Sequence, residues 1–368
     1  MAVERIGLVV HKGRPEAVQA SRSVRSWCDG HRIRCTEIDV WNASGPRRSA
    51  REEMAAAGNP DLIVTLGGDG TFLRGARLAS HGGALLLGID FGHLGFLTEV
   101  PAHDVLQALE AVRESRVSVE ERMLVTMRAS RPLPLPEESG PPSPYSHRPP
   151  LPPPQVRTGC EAGGGWGVAL DVLGLNEVVV EKFARDGRVA AAVYFAGRLL
   201  ASYAGDALLV ATPTGSTAYS FAAGGPVVSP RAEVLVFTPV AAHMAFRRSV
   251  LAAPDEPIAM RLLPHSGLAA VSVDGQLRGV LEPGDWVGVY ASPTRLRAVR
   301  LGPTDFYGRL RQRMRLTDAP ATVSAAAEVP STWPLTAPPP HDLEHLNLPT
   351  LEAGRHRPRV VRRADDGA

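Results

Sequence analysis

Short apolar runs recur through the first hundred positions, each closed by polar or glycine-rich turns. Residues 5–10 (RIGLVV), 33–38, 61–66 (DLIVTL) and 84–89 (ALLLGI) read as buried strands. Residues 15–28, 71–80 and 104–114 carry helical character, with Pro15 near the start of its segment, where proline is tolerated. Strands separated by helices predict a parallel sheet in α/β layers. From Val117 onward the pattern changes. VSVEERMLVTMRA, VALDVLGLNEVVV, VAAAVYFAG, LLASYAG and DALLVAT are short and strand-like, and more such runs follow at 233–239, 258–263, 268–273, 286–291 and 296–301. This half predicts a β-rich domain. A last helical stretch, 306–314, is expected to pack back on the first domain.

Proline divides the remainder. Of 33 prolines, 11 lie in residues 131–154 and 8 in residues 317–368. The run RPLPLPEESGPPSPYSHRPPLPPP excludes a helix or an interior strand. With the following GCEAGGGWG it predicts an extended, solvated, disordered insertion over 131–165. Residues 317–368 predict a disordered tail. The expected organisation is an α/β domain over 1–100, a β-rich domain over 101–300 carrying the insertion, a helix within 301–316, and the tail.

Composition narrows the function. With 40 Lys+Arg against 38 Asp+Glu the net charge of the 368-residue chain is +2, too small a field to argue for nucleic acid or a membrane surface. Its apolar runs fall short of the roughly 20 residues that span a bilayer, and MAVERIGLVVHKG does not read as a signal peptide. Three cysteines (Cys28, Cys35, Cys160) form no CxxC pair. A cytoplasmic protein with reduced thiols is the expectation.

Four clusters carry candidate chemistry. Gly67-Gly68-Asp69-Gly70-Thr71 stands at the carboxyl end of an apolar strand, the edge where open α/β sheets bind ligands. Glycines let a backbone approach phosphate, and the following helix points its positive end there. An acid in such a loop repels phosphate, so Asp69 makes sense as a base for a hydroxyl, a metal contact, or both. The loop is neither GxxxxGK[ST] nor GxGxxG. Asn176-Glu177 precedes the apolar Val178-Val179-Val180 and offers an amide and a carboxylate to a base or ribose. Asp206 is followed by Thr212-Pro213-Thr214-Gly215-Ser216-Thr217-Ala218-Tyr219-Ser220, a run dense in hydroxyls leading into a helix that Gly224-Gly225-Pro226 ends. Val273-Asp274-Gly275-Gln276 reads by itself as an ordinary turn.

Taken together, GGDGTFLRGAR, GHLGFLTE, LNEVVVEK, TPTGSTAYSFAAGGPVV and VDGQ resemble the NAD kinase family in order and spacing over residues 4–316, apart from the proline-rich insertion. The resemblance implies an α/β N-terminal domain with a Rossmann-like parallel sheet and GGDG loop, a β-sandwich-like C-terminal domain, and a site in the cleft between them. It implies phosphoryl transfer from ATP or polyphosphate to the 2′-hydroxyl of the adenosine ribose of NAD, with Mg²⁺ or another divalent metal and no metal-ligating cluster of the protein's own. On this resemblance Asp69 looks like the catalytic residue, the base or metal-organising acid. Gly67, Gly68, Gly70 and Arg74 look like the phosphate loop, and Asn176 and Glu177 like adenine and ribose contacts. Asp206, Thr214, Thr217, Ala218, Tyr219, Ser220 and Gln276 look like further NAD contacts. A homodimer or homotetramer is implied.

The chain departs from the family pattern at Asp90, where Asn is usual, and at Ala207, where Gly is usual. Ala242-His243-Met244 and Arg247-Arg248-Ser249 also differ. Asp90 adds negative charge near the phosphate loop. Ala207 costs little at negative φ and more at positive φ. These departures keep open a rival reading, an NAD(P)-sensing protein that retains the pocket without useful turnover. A lipid kinase of the GGDG type is the other rival, and no lipidation motif or amphipathic anchor accompanies it.

Overall fold

The computed structural model describes residues 3–41, 48–92, 95–136, 151–157, 167–243, 246–302 and 305–317. The α/β part follows the alternation of the sequence. It comprises β1 (Arg5–Val10), α1 (Pro15–Gly30), β2 (Arg34–Glu37), α2 (Ala50–Ala56), β3 (Leu62–Gly67), α3 (Asp69–Gly82), β4 (Leu85–Asp90), β5 (Val100–Pro101) and α4 (Val105–Arg113). The strands β2, β1, β3 and β4 lie side by side, all parallel. The apolar runs of β1, β3 and β4 have helices to cover on both faces. Leu8, Leu62, Val64 and Leu87 enter one core cluster with Val24 and Cys28 of α1, while Ile63 and Leu86 enter another with Phe72 and Ala76 of α3.

The second half holds β6 (Ser118–Ala129), β7 (Val168–Ala169), β8 (Glu177–Lys182), β9 (Val189–Phe195), β10 (Arg198–Gly205), β11 (Ala207–Ala211), α5 (Tyr219–Ala222), β12 (Leu235–Val240), β13 (Val250–Ala252), β14 (Ile258–Leu262), β15 (Ala269–Val273), β16 (Gln276–Leu281) and β17 (Trp286–Arg300). One sheet runs β13-β12-β11-β8-β15-β16, antiparallel throughout. The other, β10-β9-β14-β17, pairs through β17 with β4 in parallel and so continues the first sheet. Val178, Val180, Val210 and Phe237 from one sheet face Val193, Met260 and Val289 from the other. This is a two-sheet packing with alternating inward residues. The α/β N-terminal part and β-rich C-terminal part agree with the sequence pattern.

Four details differ from it. α2 was not expected, yet Ser49 and Glu52 form a reciprocal capping box at its start. α3 begins at Asp69 rather than Thr71, so the glycine loop shrinks to a single turn residue, Gly68. The runs at 286–291 and 296–301 are one strand, bent by a register shift between Ala291 and Arg295 where Pro293 sits. The insertion is tied down at its described ends, although most residues there stay exposed or half-buried. Leu133 is 1% exposed within the core, Pro134 accepts the Val280 N–H, and Val156 bridges Leu170. The rest of the insertion (137–150, 158–166), Cys160, Met244 and the tail beyond Thr317 lie outside the described residues.

From Gly302 a separate unit begins, holding α6 (Phe306–Arg313), whose first turn is capped by the Asp305 carboxylate accepting from the Gly308 N–H at 2.7 Å.

Candidate active site

β3 ends at Gly67, and the chain turns at Gly68 directly into α3. Gly67 is required by packing, because a Cβ there would lie 2.2 Å from the Thr71 hydroxyl. A Cβ on Gly68 would meet nothing within 4 Å, so this backbone faces open space beside the helix N-terminus. Asp69 does not point outward. Its Oδ2 accepts the Phe96 N–H at 3.0 Å, and its Oδ1 accepts the Leu97 N–H at 3.2 Å and the Thr98 N–H and hydroxyl at 3.4 Å. Residues 95–98, the GFLT of the GHLGFLTE motif, therefore wrap Asp69. Gly95 allows the approach, since a Cβ there would sit 2.0 Å from Oδ1. With one donor on Oδ2, that oxygen keeps a lone pair for a hydroxyl. Asp90 stands in register with Gly67 at the end of β4 and accepts the Gly92 N–H at 2.8 Å.

The structure turns Gly70 and Arg74 to a different face of α3. Arg74 donates to the Val40 carbonyl at 2.9 Å and stacks over Trp41 at 4.0 Å. Gly70 and Arg74 line a cavity of about 200 Å³ together with Gln276.

The start of β8 is held by three elements. Asp274 accepts the N–H groups of Leu175, Asn176 and Glu177 at 2.8, 2.7 and 3.2 Å. Thr212 donates its N–H to Asn176 and its hydroxyl to Leu175, at 2.8 and 2.5 Å. Gly215 packs so closely that a Cβ would lie 2.1 Å from the Asn176 carbonyl oxygen. So fixed, the Asn176 side-chain amide makes no hydrogen bond among the described residues, and Glu177, 6% exposed, leaves Oε2 without a partner. Burial first, and the charge of Asp274 second, push the Glu177 carboxyl up to about 8, against a hydrogen bond from the Tyr219 backbone. At pH 7 it is therefore mostly protonated and both donates and accepts.

The hydroxyl-rich run is spent largely on itself. Ser220, fully buried, bonds Thr238 at 3.0 Å; Thr217 donates to the Thr214 carbonyl; Ser216 serves Pro213 and Val228. Thr214 and Ala218 flank this short helical turn beside Asn176. Tyr219 is 38% exposed. Burial, then the charges of Glu181, Asp206 and Glu177, raise its phenol. Asp206 itself is not brought to the Asn176 end. It stands at the other end of β11, roughly 20 Å of strand from Thr212, and pairs with Lys182 at 2.7 Å. Ala207 has no positive φ, so its departure from glycine carries no backbone strain.

Three site residues escaped the sequence reading. Asp274 reads from sequence as part of an ordinary turn, and its signal is the Asp-Gly pair of a two-residue hairpin, both at positive φ. Arg122 and Arg300 gave no local signal. Arg300 donates to the Leu97 carbonyl at 3.3 Å and to Glu120 at 2.6 Å; Arg122 donates to Glu120 at 2.9 Å and to the Thr214 hydroxyl at 3.4 Å. A buried relay thus joins the Asp69 loop to the Thr214 turn. Burial works to raise the Glu120 carboxyl, but Arg122 and Arg300 outweigh it and hold it below the usual range.

Residues 6–117 match the ATP-NAD kinase N-terminal domain family, and residues 175–301 match the ATP-NAD kinase C-terminal domain family. NAD kinase 1 of Streptomyces coelicolor is 65% identical over 349 residues, covering 95% of this chain and 96% of its own. The chain belongs to the NAD kinase family. NAD kinase of Thermobifida fusca is 34% identical over 82% of this chain and 86% of its own. Two solved structures share the fold. Yeast NADH kinase complexed with NADH has a TM-score of 0.66 at 18% identity, covering 87% of this chain and 89% of its own. An NAD kinase from Archaeoglobus fulgidus in complex with ATP has 0.58 at 21%, covering 84% and 98%.

Proposed function

We propose that the chain is an NAD kinase, transferring a phosphoryl group from ATP, or polyphosphate, to the 2′-hydroxyl of the adenosine ribose of NAD. The observation that carries this is the Glu177 carboxyl, buried with Oε2 unpartnered among the described residues, beside the Asn176 amide, which makes no hydrogen bond among them. A buried polar atom without a partner is costly; a ribose hydroxyl supplies what Oε2 lacks, and an adenine edge can meet the amide. In this reading Ala218, Tyr219 and Thr214 shape the wall against the nucleotide, and Gln276 meets it from the β15–β16 hairpin. Thr217 and Ser220 act through the turn rather than by contact.

Phosphoryl transfer asks mainly for alignment and charge neutralisation. The Gly67-Gly68 backbone and the α3 N-terminus receive the donor's phosphates. Asp69, held by the 95–98 loop, accepts the proton of the attacking 2′-hydroxyl on Oδ2. The new O–P bond forms as the bond to the departing nucleoside diphosphate breaks. No trio of His, Cys, Asp or Glu able to hold a metal occurs among the described residues. The residues fit a divalent cation that arrives with the phosphates, Asp69 and Asp90 being the carboxylates at that end of the sheet. Bound there, it supplies Lewis-acid neutralisation of the transferring group.

The reading extends to a cytoplasmic homodimer or homotetramer. Supporting it, Leu199 on edge strand β10 and Leu251 on edge strand β13 are 59% and 53% exposed, and Cys28 and Cys35 are free thiols.

The test is NADP formation from NAD, ATP and Mg²⁺ by purified protein, beside Asp69→Ala, with NAD binding measured separately. Product that vanishes in the variant while NAD still binds is the expected result. Turnover near wild type in the variant removes Asp69 from the chemistry, and no product with any donor removes the kinase reading.

A further inference from the structure

Gly70, Arg74, Arg77 and His81 follow one another along a single face of α3, from the phosphate turn toward the far end of the helix. That face opens on the cavity of about 200 Å³. Across it stand Arg278 of β16 and the segment Leu151, Pro152, Pro153 and Gln155. Both family matches omit this segment, which lies between residue 117 and residue 175. It is seated by the Asp171 N–H donating to the Gln155 carbonyl and the Arg157 N–H to the Ala169 carbonyl, both at 2.8 Å.

Most charges on the cavity are satisfied. Arg77 pairs with Glu53, and His81 Nε2 lies 3.5 Å from Asp171, which Arg157 also approaches at 3.9 Å. Glu52 accepts from Ser49. Arg278 differs. It is 9% exposed, its Nε has no hydrogen-bond partner, and no hydrogen bond or ion pair joins it to another described residue. Burial, with Arg77 adding to it and Asp171 opposing, pulls its pKa down only to about 10, so it stays charged. A buried guanidinium that feels the Asp171 charge but is bonded to no acceptor among the described residues leaves donors free for an anion, and its fork geometry suits the oxygens of phosphate.

The geometry points to a phosphate subsite in this cavity, where Arg278 takes a phosphate-class oxyanion that enters past Gly70 and Arg74, with residues 151–155 as the closing wall. Two sources share that chemistry, the phosphate tail of the donor and free inorganic phosphate. Only the first rests on the kinase reading.

The experiment uses the full chain, with Arg278→Met to keep volume without charge and Arg278→Lys to keep charge without the fork. Arg198→Met, on exposed β10, is the control. Binding of tripolyphosphate, ATP with Mg²⁺, and inorganic phosphate is read by calorimetry, and KM and kcat by NADP formation. Weakening of tripolyphosphate and ATP by tenfold or more in Arg278→Met, with the KM for ATP rising alike and the KM for NAD unchanged, assigns the donor's tail. Loss of inorganic phosphate binding alone, with the KM for ATP unchanged, assigns free phosphate. Wild-type binding of all three probes by both Arg278 variants, each folded by thermal unfolding, overturns the subsite. Because binding is read without turnover, absence of NADP formation sinks the kinase reading and not this one.

Discussion

Asp274 Oδ1 accepts the Asn176 N–H at 2.7 Å across 98 residues of sequence. The carboxylate sits at a tight hairpin turn and caps the start of β8, so one side chain fixes both the amide and the acid expected to read the nucleotide. Asp274→Asn keeps a residue that tolerates positive φ but sets an amide against three N–H donors. The expected outcome is a loss of about 1–3 kcal/mol in unfolding free energy and a KM for NAD at least tenfold higher, with kcat changed less. Denaturant unfolding and steady-state kinetics check both. An unchanged KM removes the clamp from substrate recognition.

Three carboxyls around this clamp are raised, each chiefly by burial: Glu177 to about 8, Glu181 to about 7 and Asp274 to about 6. For a raised acid the stabilising contribution is complete below the unfolded pKa and is lost as pH rises through the folded one. Their support is therefore complete below about pH 4 and is withdrawn from there up to about pH 6 for Asp274, 7 for Glu181 and 8 for Glu177. Glu181→Gln, which keeps an acceptor for the Ser272 hydroxyl, is expected to gain on the order of 3 kcal/mol over wild type at pH 8.5 and only about 1 kcal/mol at pH 5. Thermal unfolding across that range reads the difference. Parallel curves for the two proteins contradict the burial argument.

The relay from Leu97 through Arg300, Glu120 and Arg122 to Thr214 makes its own demand. Glu120→Gln leaves two buried guanidiniums without their shared counter-charge. Removing one partner of a buried pair costs roughly 3–5 kcal/mol. The melting temperature is expected to fall sharply, and kcat to fall in the fraction that stays folded, because the loop around Asp69 loses its brace. Wild-type kcat in Glu120→Gln disconnects the relay from Asp69.

How far this site was legible depends on sequence separation. Gly67 to Gly70 was readable because strand, turn and helix are contiguous, and the Asn176-Glu177 pair because it abuts its own strand. The partners that give these residues their geometry come from far away. Arg300 reaches Glu120 across 180 residues and Leu97 across 203, and an isolated arginine in a β-strand carries no mark of that pairing. The hydroxyl run has a second use that its composition does not announce. Its density looks like a display of donors, whereas Ser216 and Thr217 close their own turn and Ser220 bonds Thr238 of β12. Residues 131–136 and 151–157 read as solvated from proline content alone, which says nothing of Leu133 inserting into the core. α2 was missed although its capping box was written in the sequence, because seven residues give too few turns for periodicity to register.

Two adjacent glycines separate packing from ligand approach. A Cβ on Gly67 would collide with Thr71 at 2.2 Å, so Gly67→Ala is expected to lower both stability and turnover. Gly68 has φ of −112° and nothing within 4 Å of its Cβ position, so the free protein accommodates alanine there without strain. Surface changes of that kind stay within about 0.5 kcal/mol. If the open space above Gly68 is where the donor's phosphates approach the backbone, Gly68→Ala keeps the wild-type melting temperature and loses tenfold or more in kcat/KM for ATP. Thermal unfolding and initial-rate kinetics on the two variants decide it. Full activity in Gly68→Ala moves the phosphates away from this turn, and with them the reason for a bare backbone at the start of α3.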